Sequence, residues 1–272
     1  MVIKCKLFAA SIIISSIFLC SCATYRYIYT ASSPNNPYFV KKGESKLSAS
    51  YSASSNGQAD EAYAGGINLQ GAYSMSDHWA IAGTYFNSRE KDVYGSGSEP
   101  FDSSTVKYKR NLFELSAGYF TFLDKHKNIT FNLYGGMGYG KFSIDDNGEI
   151  STGVDYGRFH KTNITKWFLQ PAFNFRPLKN FRLALILKTS LVHFGDIKTS
   201  YTAYELNYFK LDRFTNKTIF FFEPAWNFQF GLQKYPWVKL DGTFSGVSDN
   251  AYTESNVRQS NFSIGLNFDF TR

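Results

Sequence analysis

The sequence predicts an all-β fold, an up-and-down antiparallel transmembrane β-barrel of about ten strands, and three observations carry that expectation. A two-faced alternation of apolar and polar residues recurs about ten times. Short and long connections alternate between those stretches, the pattern of barrels with tight turns on one side and loops on the other. Aromatic residues reach 18% of the 272 positions, which favours strands and membrane interfaces. One barrel with a leader accounts for the length, since all-β barrels run to about 200–250 residues as one unit.

The leader comes first. Lys4 and Lys6 form a basic start, and Leu7 to Leu19 an apolar core too short to span a bilayer as a helix. Leu19, Cys20, Ser21 and Cys22 resemble the lipobox of bacterial lipoproteins, in which a small residue precedes the acylated cysteine. That resemblance implies a signal peptide over residues 1–21 and a lipid, palmitate among its chains, at Cys22. Ala23 is not the Asp that retains such proteins in the inner membrane, so the resemblance implies the bacterial outer membrane. Removal of Cys5 and Cys20 and capping of Cys22 leave no free thiol.

Residues 22–43 read as a lipidated tether. Pro34 and Pro37 oppose ladder pairing, and about 20 extended residues reach roughly 65 Å, enough to link an acyl anchor to a barrel. The barrel is expected over residues 44–272, with strands at 45–54, 63–73, 78–88, 106–122, 128–143, 161–175, 180–193, 217–231, 236–246 and 256–270. Phe113, Leu115, Ala117 and Tyr119 share one face of their strand, as do Phe181, Leu183, Leu185 and Leu187 of theirs. Pro171 and Pro224 each remove a ladder bond, so a bulge or kink is expected at each. In the last strand Phe262, Ile264, Leu266, Phe268 and Phe270 oppose Asn261, Ser263, Gly265, Asn267 and Asp269. Phe270 resembles the near-terminal aromatic read by barrel-assembly machinery.

An even strand count puts both barrel ends on the short-turn, periplasmic side, where an inner-leaflet anchor at Cys22 is expected. Tyr73, Trp79, Tyr119, Phe175, Phe230 and Trp237 flank the short turns and predict an interfacial girdle. On the order of 50 apolar groups do not fit inside a barrel of this size, so the apolar face meets lipid. The other face carries Glu114, Lys166, Arg182, Lys188, Glu223, Lys239, Asp241 and Asp269, expected as mutually paired lumen charges. A basic group facing lipid at the midplane costs about 2–4 kcal/mol, which supports the same choice.

Formal charge is +7 with Lys4 and Lys6 included, modest and spread along the chain, so nucleic acid is not implied. Lys107, Lys109 and Arg110 are expected in one long loop, and Lys198, Lys210, Arg213 and Lys217 in another. The histidines show no metal-ligand spacing. His160, Asp155, His193 and Asp196 sit near the long-loop rim, but no nucleophile stands beside them. Asp145, Asp146, Asn147 and Gly148 lack the acidic residue that would close a calcium loop, and read as a turn. Gly136, Gly138 and Gly140 form an inward smooth column over which Phe120 and Phe168 are expected to lie.

The chain also resembles a group of uncharacterised bacterial outer-membrane lipoproteins through its lipobox, its aromatic barrel and Asn36, Pro37, Phe39, Lys42, Gly43 and Glu44. That resemblance implies no known activity. The expectation is a non-enzymatic, lipid-anchored barrel without cofactors, whose basic and Tyr-rich loops meet lipopolysaccharide, glycan or an envelope protein. A narrow solute channel and a rim-site hydrolase are the alternatives.

Overall fold

The computed structural model describes residues 26–54, 59, 61–95, 101–150, 152–178, 180–231, 234–235, 237–249 and 256–270. The lipobox, including Cys22, lies outside the described residues. Ten strands form the wall: β1 (Ser45–Ser54), β2 (Glu61–Ser74), β3 (Trp79–Tyr94), β4 (Phe101–Phe122), β5 (Ile129–Ile150), β6 (Val154–Leu178), β7 (Phe181–Thr199), β8 (Thr218–Gly231), β9 (Val238–Gly246) and β10 (Ser260–Phe270). Each pairs antiparallel with its sequence neighbours, and β10 closes the ring on β1 with Phe262 opposite Ala53 and Phe268 opposite Leu47. Closure leaves no open sheet edge in lipid.

All ten expected strands are present, and several run farther on the long-loop side. β4 begins at Phe101, β5 continues to Ile150 and β6 begins at Val154. The alternation continues there with other residue types: Val106, Tyr108 and Arg110 point inward, while Lys107 and Lys109 point out. Lys107, Lys109 and Arg110 therefore lie on β4, inside the strand expected over 106–122 and not in the long loop, and Lys198 likewise lies on β7. The expected turn at Asp145 to Gly148 is also strand, because Asp146 faces inward to a buried partner.

Of the bulge or kink expected at Pro171 and Pro224, no bulge forms. Pairing of β6 with β7 lapses between Leu169↔Thr189 and Ala172↔Ile186 and resumes in the same register. Beside Pro224, pairing of Ala225 with Ser245 gives way to Phe222 with Ser248, again in register. Each ring deletes a donor without adding a residue. Register shifts occur elsewhere, between Lys161 and Asn163 and between Phe175 and Leu178.

The outward face carries the apolar belt: Leu47, Ile67, Leu115, Met137, Trp167 and Phe244 are all exposed. The stripe on β10 points outward as expected, with Phe262, Ile264, Leu266 and Phe270 exposed. Near the short turns Trp79 meets Tyr119 at 5.5 Å and Phe181 meets Phe230 at 5.0 Å, building the girdle. Such a belt on a closed ladder makes this an outer-membrane barrel, placed in the bacterial outer membrane.

The segment expected as a tether runs inside the barrel. Arg26 bonds Asp146 at the long-loop end, Asn35 donates to the carbonyls of Gly71 and Gly83 midway, and Tyr38 donates to the Lys127 carbonyl at a short turn. Lys42 then bonds Asp77 in another short turn, and β1 begins. The expected placement of the whole tether on the periplasmic side is thereby corrected: the start of β1 lies there, but Arg26 stands at the opposite end. The physical reason is that the segment's polar groups pair with the lumen wall, as the ladder could not be met by Pro34 and Pro37.

Above the lumen, residues 200–217 fold into a cap. Helix α1 (Ala203–Tyr208) starts at a capping box in which Thr202 and Glu205 exchange bonds, and a 3-10 turn follows at Leu211–Phe214. Phe209, Leu211 and Phe214 are buried beneath it with Tyr201, and Arg26 lies 4.1 Å over the Phe209 ring.

Candidate functional site

The lumen is the site that the chain builds with most of its buried charge, and it holds three ionic layers. The middle layer joins four of the expected residues. Lys166 lies 3.0 Å from both Glu114 and Glu223, and Lys188 lies 2.8 Å from Glu114. The N-terminal segment completes this layer: Lys166 donates to the Tyr29 hydroxyl at 2.7 Å, and Tyr29 donates to Glu223 at 3.1 Å. Ser190 adds a bond to Glu223 at 2.5 Å. Every charge here has an opposite neighbour, which is the condition for tolerating it at this depth.

The lower layer, toward the short turns, gathers Asp269 with Lys239, with Lys46 at 3.3 Å and with Arg182 at 3.4 Å. Arg182 also lies 4.4 Å over the ring of Tyr38, so the segment is gripped here too. Among the described residues Asp241 joins no ion pair of this layer. It accepts from Asn227 at 3.1 Å and Gln229 at 2.6 Å instead.

The upper layer was not expected from the sequence. Arg258 bonds both oxygens of Asp92, at 2.8 and 2.9 Å, and shares Glu90 with Arg110. Arg110 then donates to the Tyr27 carbonyl at 2.7 Å and the Ile28 carbonyl at 3.2 Å. Tyr29 and Thr30 pair in parallel with Val257 and Arg258, and Ile28 N–H donates to the Asn256 carbonyl at 2.7 Å. Backbone groups that would be orphaned inside a barrel are thus satisfied by Arg110 of the wall and by the short strand Val257–Arg258 that precedes β10. Beside Asn35 and Asn36 the residual cavity is about 20 Å³, room for about one water.

The glycine column is inward as expected, and half of its expected cover is present. A side chain on Gly136 would meet Phe168 Cζ at 2.7 Å, and Phe168 in turn lies 4.2 Å from the Lys188 ammonium. Phe120 packs instead on Phe39 of the segment, at 5.8 Å.

The rim residues are not brought together. His160 points inward and is fully buried, whereas His193 points outward and shares a 3.2 Å bond with Thr218. Asp155 is exposed, and Asp196 accepts from Asn163 at 2.6 Å. Among the described residues no group of three His, Cys, Asp or Glu side chains could hold a metal ion.

No protein family and no curated protein matches the sequence. Among solved structures, the chain is similar to the translocator domain of the autotransporter NalP from Neisseria meningitidis, at 13% identity and a TM-score of 0.50, covering 85% of this chain and 89% of that one. It is also similar to the outer membrane protease OmpT from Escherichia coli, at 12% identity and a TM-score of 0.43, covering 86% and 99%. A third likeness is to Ail, the attachment invasion locus protein of Yersinia pestis, at 12% identity and a TM-score of 0.32, covering 84% and 99%. At these identities the NalP likeness speaks for the fold alone, and the other two add no argument.

Proposed function

We propose that this chain is a plugged, lipid-anchored outer-membrane barrel with a structural or surface-interaction role, neither a channel nor an enzyme. The supporting observation is the segment from Arg26 to Val40, which fills the lumen and is held in all three ionic layers. A solute path would need that segment to leave, and leaving strands Glu223 and Asp146 without buried partners they now have. Catalysis draws no support, since His160 and His193 face opposite sides of the wall.

The anchor at Cys22 belongs to the same proposal, with its position revised. Cys22 precedes Arg26 by four residues, a reach of at most about 14 Å. Its acyl chains would therefore enter the leaflet on the long-loop side, toward lipopolysaccharide, glycan or an envelope protein. Planar-bilayer recording of the full chain tests the plug. Baseline current is expected, and steady single-channel steps would establish the channel reading instead.

A further inference from the structure

Strands β3 to β7 share a stretch of outer wall above the belt, graded row by row. Hydrogen-bond register sets Leu115, Met137, Trp167 and Leu191 side by side at the level of the belt. Above them come Tyr85, Phe113, Tyr139 and Thr165, and then Asn87, Asn111, Lys141 and Asn163. The next row is Arg89, Lys109, Ser143, Lys161 and Lys198, each directly opposite the next. Lys91 stands opposite Lys107 one step higher. The order from lipid upward is hydrocarbon, aromatic, amide and cation.

Like charges directly opposite on a ladder are destabilising, because their Cβ atoms are about 4.5–5.5 Å apart. This wall holds three such pairs: Arg89 with Lys109, Lys91 with Lys107, and Lys161 with Lys198. The carboxylates nearby offset only one of these cations. Asp145 stands opposite Lys107 alone, and Asp196 is taken by the Asn163 amide. The side chains of Arg89, Lys109, Lys161 and Lys198 are exposed along an open groove of about 850 Å³. A second groove, apolar and about 1220 Å³, lies on the belt and overlaps β3 to β5, lined by Leu69, Ile81, Leu115 and Met137 over a floor where Gly71 faces Gly83.

We infer that this wall is a binding site for a phosphorylated membrane glycolipid of the lipopolysaccharide class. Arg89, Lys109, Lys161 and Lys198 take its phosphates, Asn87, Asn111 and Asn163 its sugar hydroxyls, and the apolar groove an acyl chain. A lipid is favoured over a soluble anion because cationic and apolar grooves adjoin on one lipid-facing surface. The inference rests on the proposed function only in placing the long-loop end outward, and it does not require a closed lumen.

The test uses the full chain in phosphatidylcholine bilayers doped with diphosphorylated lipid A, with the dephosphorylated glycolipid, or bathed in inorganic pyrophosphate. The readout is the temperature at which gel mobility shifts, together with bound lipid by mass spectrometry. Diphosphorylated lipid A is expected to raise the midpoint and remain bound, with the other two giving at least tenfold weaker effects. The variant R89S/K109S/K161S is expected to lose that response while its midpoint in phosphatidylcholine alone rises, as repulsion is relieved. Substituting Lys42, Lys125 and Lys234 at the short-turn end by Ser changes the charge equally and should leave the response intact. Equal stabilisation by dephosphorylated glycolipid or by pyrophosphate overturns the inference, as does an undiminished response in the wall variant. Channel steps in the separate recording would defeat the plug and leave this site standing.

Discussion

Tyr29 stacks on Phe221 with ring centroids 4.3 Å apart, and its hydroxyl bridges Lys166 at 2.7 Å and Glu223 at 3.1 Å. One side chain of the lumen segment thus completes an ion cluster of the wall. Tyr29→Phe keeps the ring and removes both bonds, so a loss of about 1–3 kcal/mol is expected in detergent unfolding monitored by gel mobility. A variant as stable as the parent would mean that the segment is only loosely seated.

Lys166 has two carboxylate neighbours, and only Glu114 keeps a second lysine, Lys188. Lys166→Met should therefore cost about 3–5 kcal/mol by leaving Glu223 buried without its cation. Adding Glu223→Gln is expected to recover a large part of that loss. Additive single effects in this double-mutant cycle would show that the two groups are not coupled.

His160 is fully buried at the upper end of the lumen, and neither ring nitrogen has a hydrogen-bond partner among the described residues. A buried polar group without a partner costs about 1–3 kcal/mol, so His160→Leu is expected to leave the unfolding midpoint in detergent unchanged or to raise it. A clear loss of stability would show that the ring is partnered in the folded protein.

Gly136 lies beneath Phe168, and a Cβ there would run into the Leu115 backbone carbonyl, with Phe168 Cζ and Ser116 Cβ each at 2.7 Å. Gly136→Ala must shift the adjoining β4 backbone as well as the ring and is expected to destabilise by about 1–3 kcal/mol. Gly71→Ala, whose nearest side-chain contact would be Leu47 at 3.4 Å, should be mild by comparison. Similar midpoints for the two would remove the argument for close packing over Gly136.

Acylation at Cys22 predicts that a labelled fatty acid enters the parent chain and not Cys22→Ser. An epitope inserted directly after Ala23 should be stained on intact cells, because the chain reaches Arg26 at the long-loop end. Staining seen only after the outer membrane is permeabilised would reverse the orientation given to the segment.

The barrel was legible because its signals are local. Outward Phe262 to Phe270 repeat every second residue, and turn length needs no knowledge of distant chain. Glu114, Lys166, Lys188 and Glu223 could be assigned to the polar face for the same reason, since each alternates with apolar neighbours, but which of them pair could not be read from the sequence. Arg26, Asp92 and Arg258 were not singled out at all, and they meet partners 120 and 166 positions away. Arg110 looked like one more loop cation beside Lys107 and Lys109. Its parity with Val106, Tyr108 and Leu112 is the signal that marks it as inward. Nothing comparable marked the lumen segment, where prolines broke periodicity and Tyr, Asn and Ser suited a solvated linker equally well.

The segment from Arg26 to Val40 is a thread through a ring, and the ladder between β1 and β10 closes that ring. Bulky Arg26, Tyr27 and Tyr29 stand among buried wall residues, and beside Asn35 there is space for about one water. Insertion after closure would have to drag those groups past all three ionic layers. The order of assembly follows: the thread is laid first, the wall curls around it, and β10 latches last. Escape of the thread should then be no faster than opening of that latch, so a crosslink between β1 and β10 would trap the threaded form even where the ion pairs are broken.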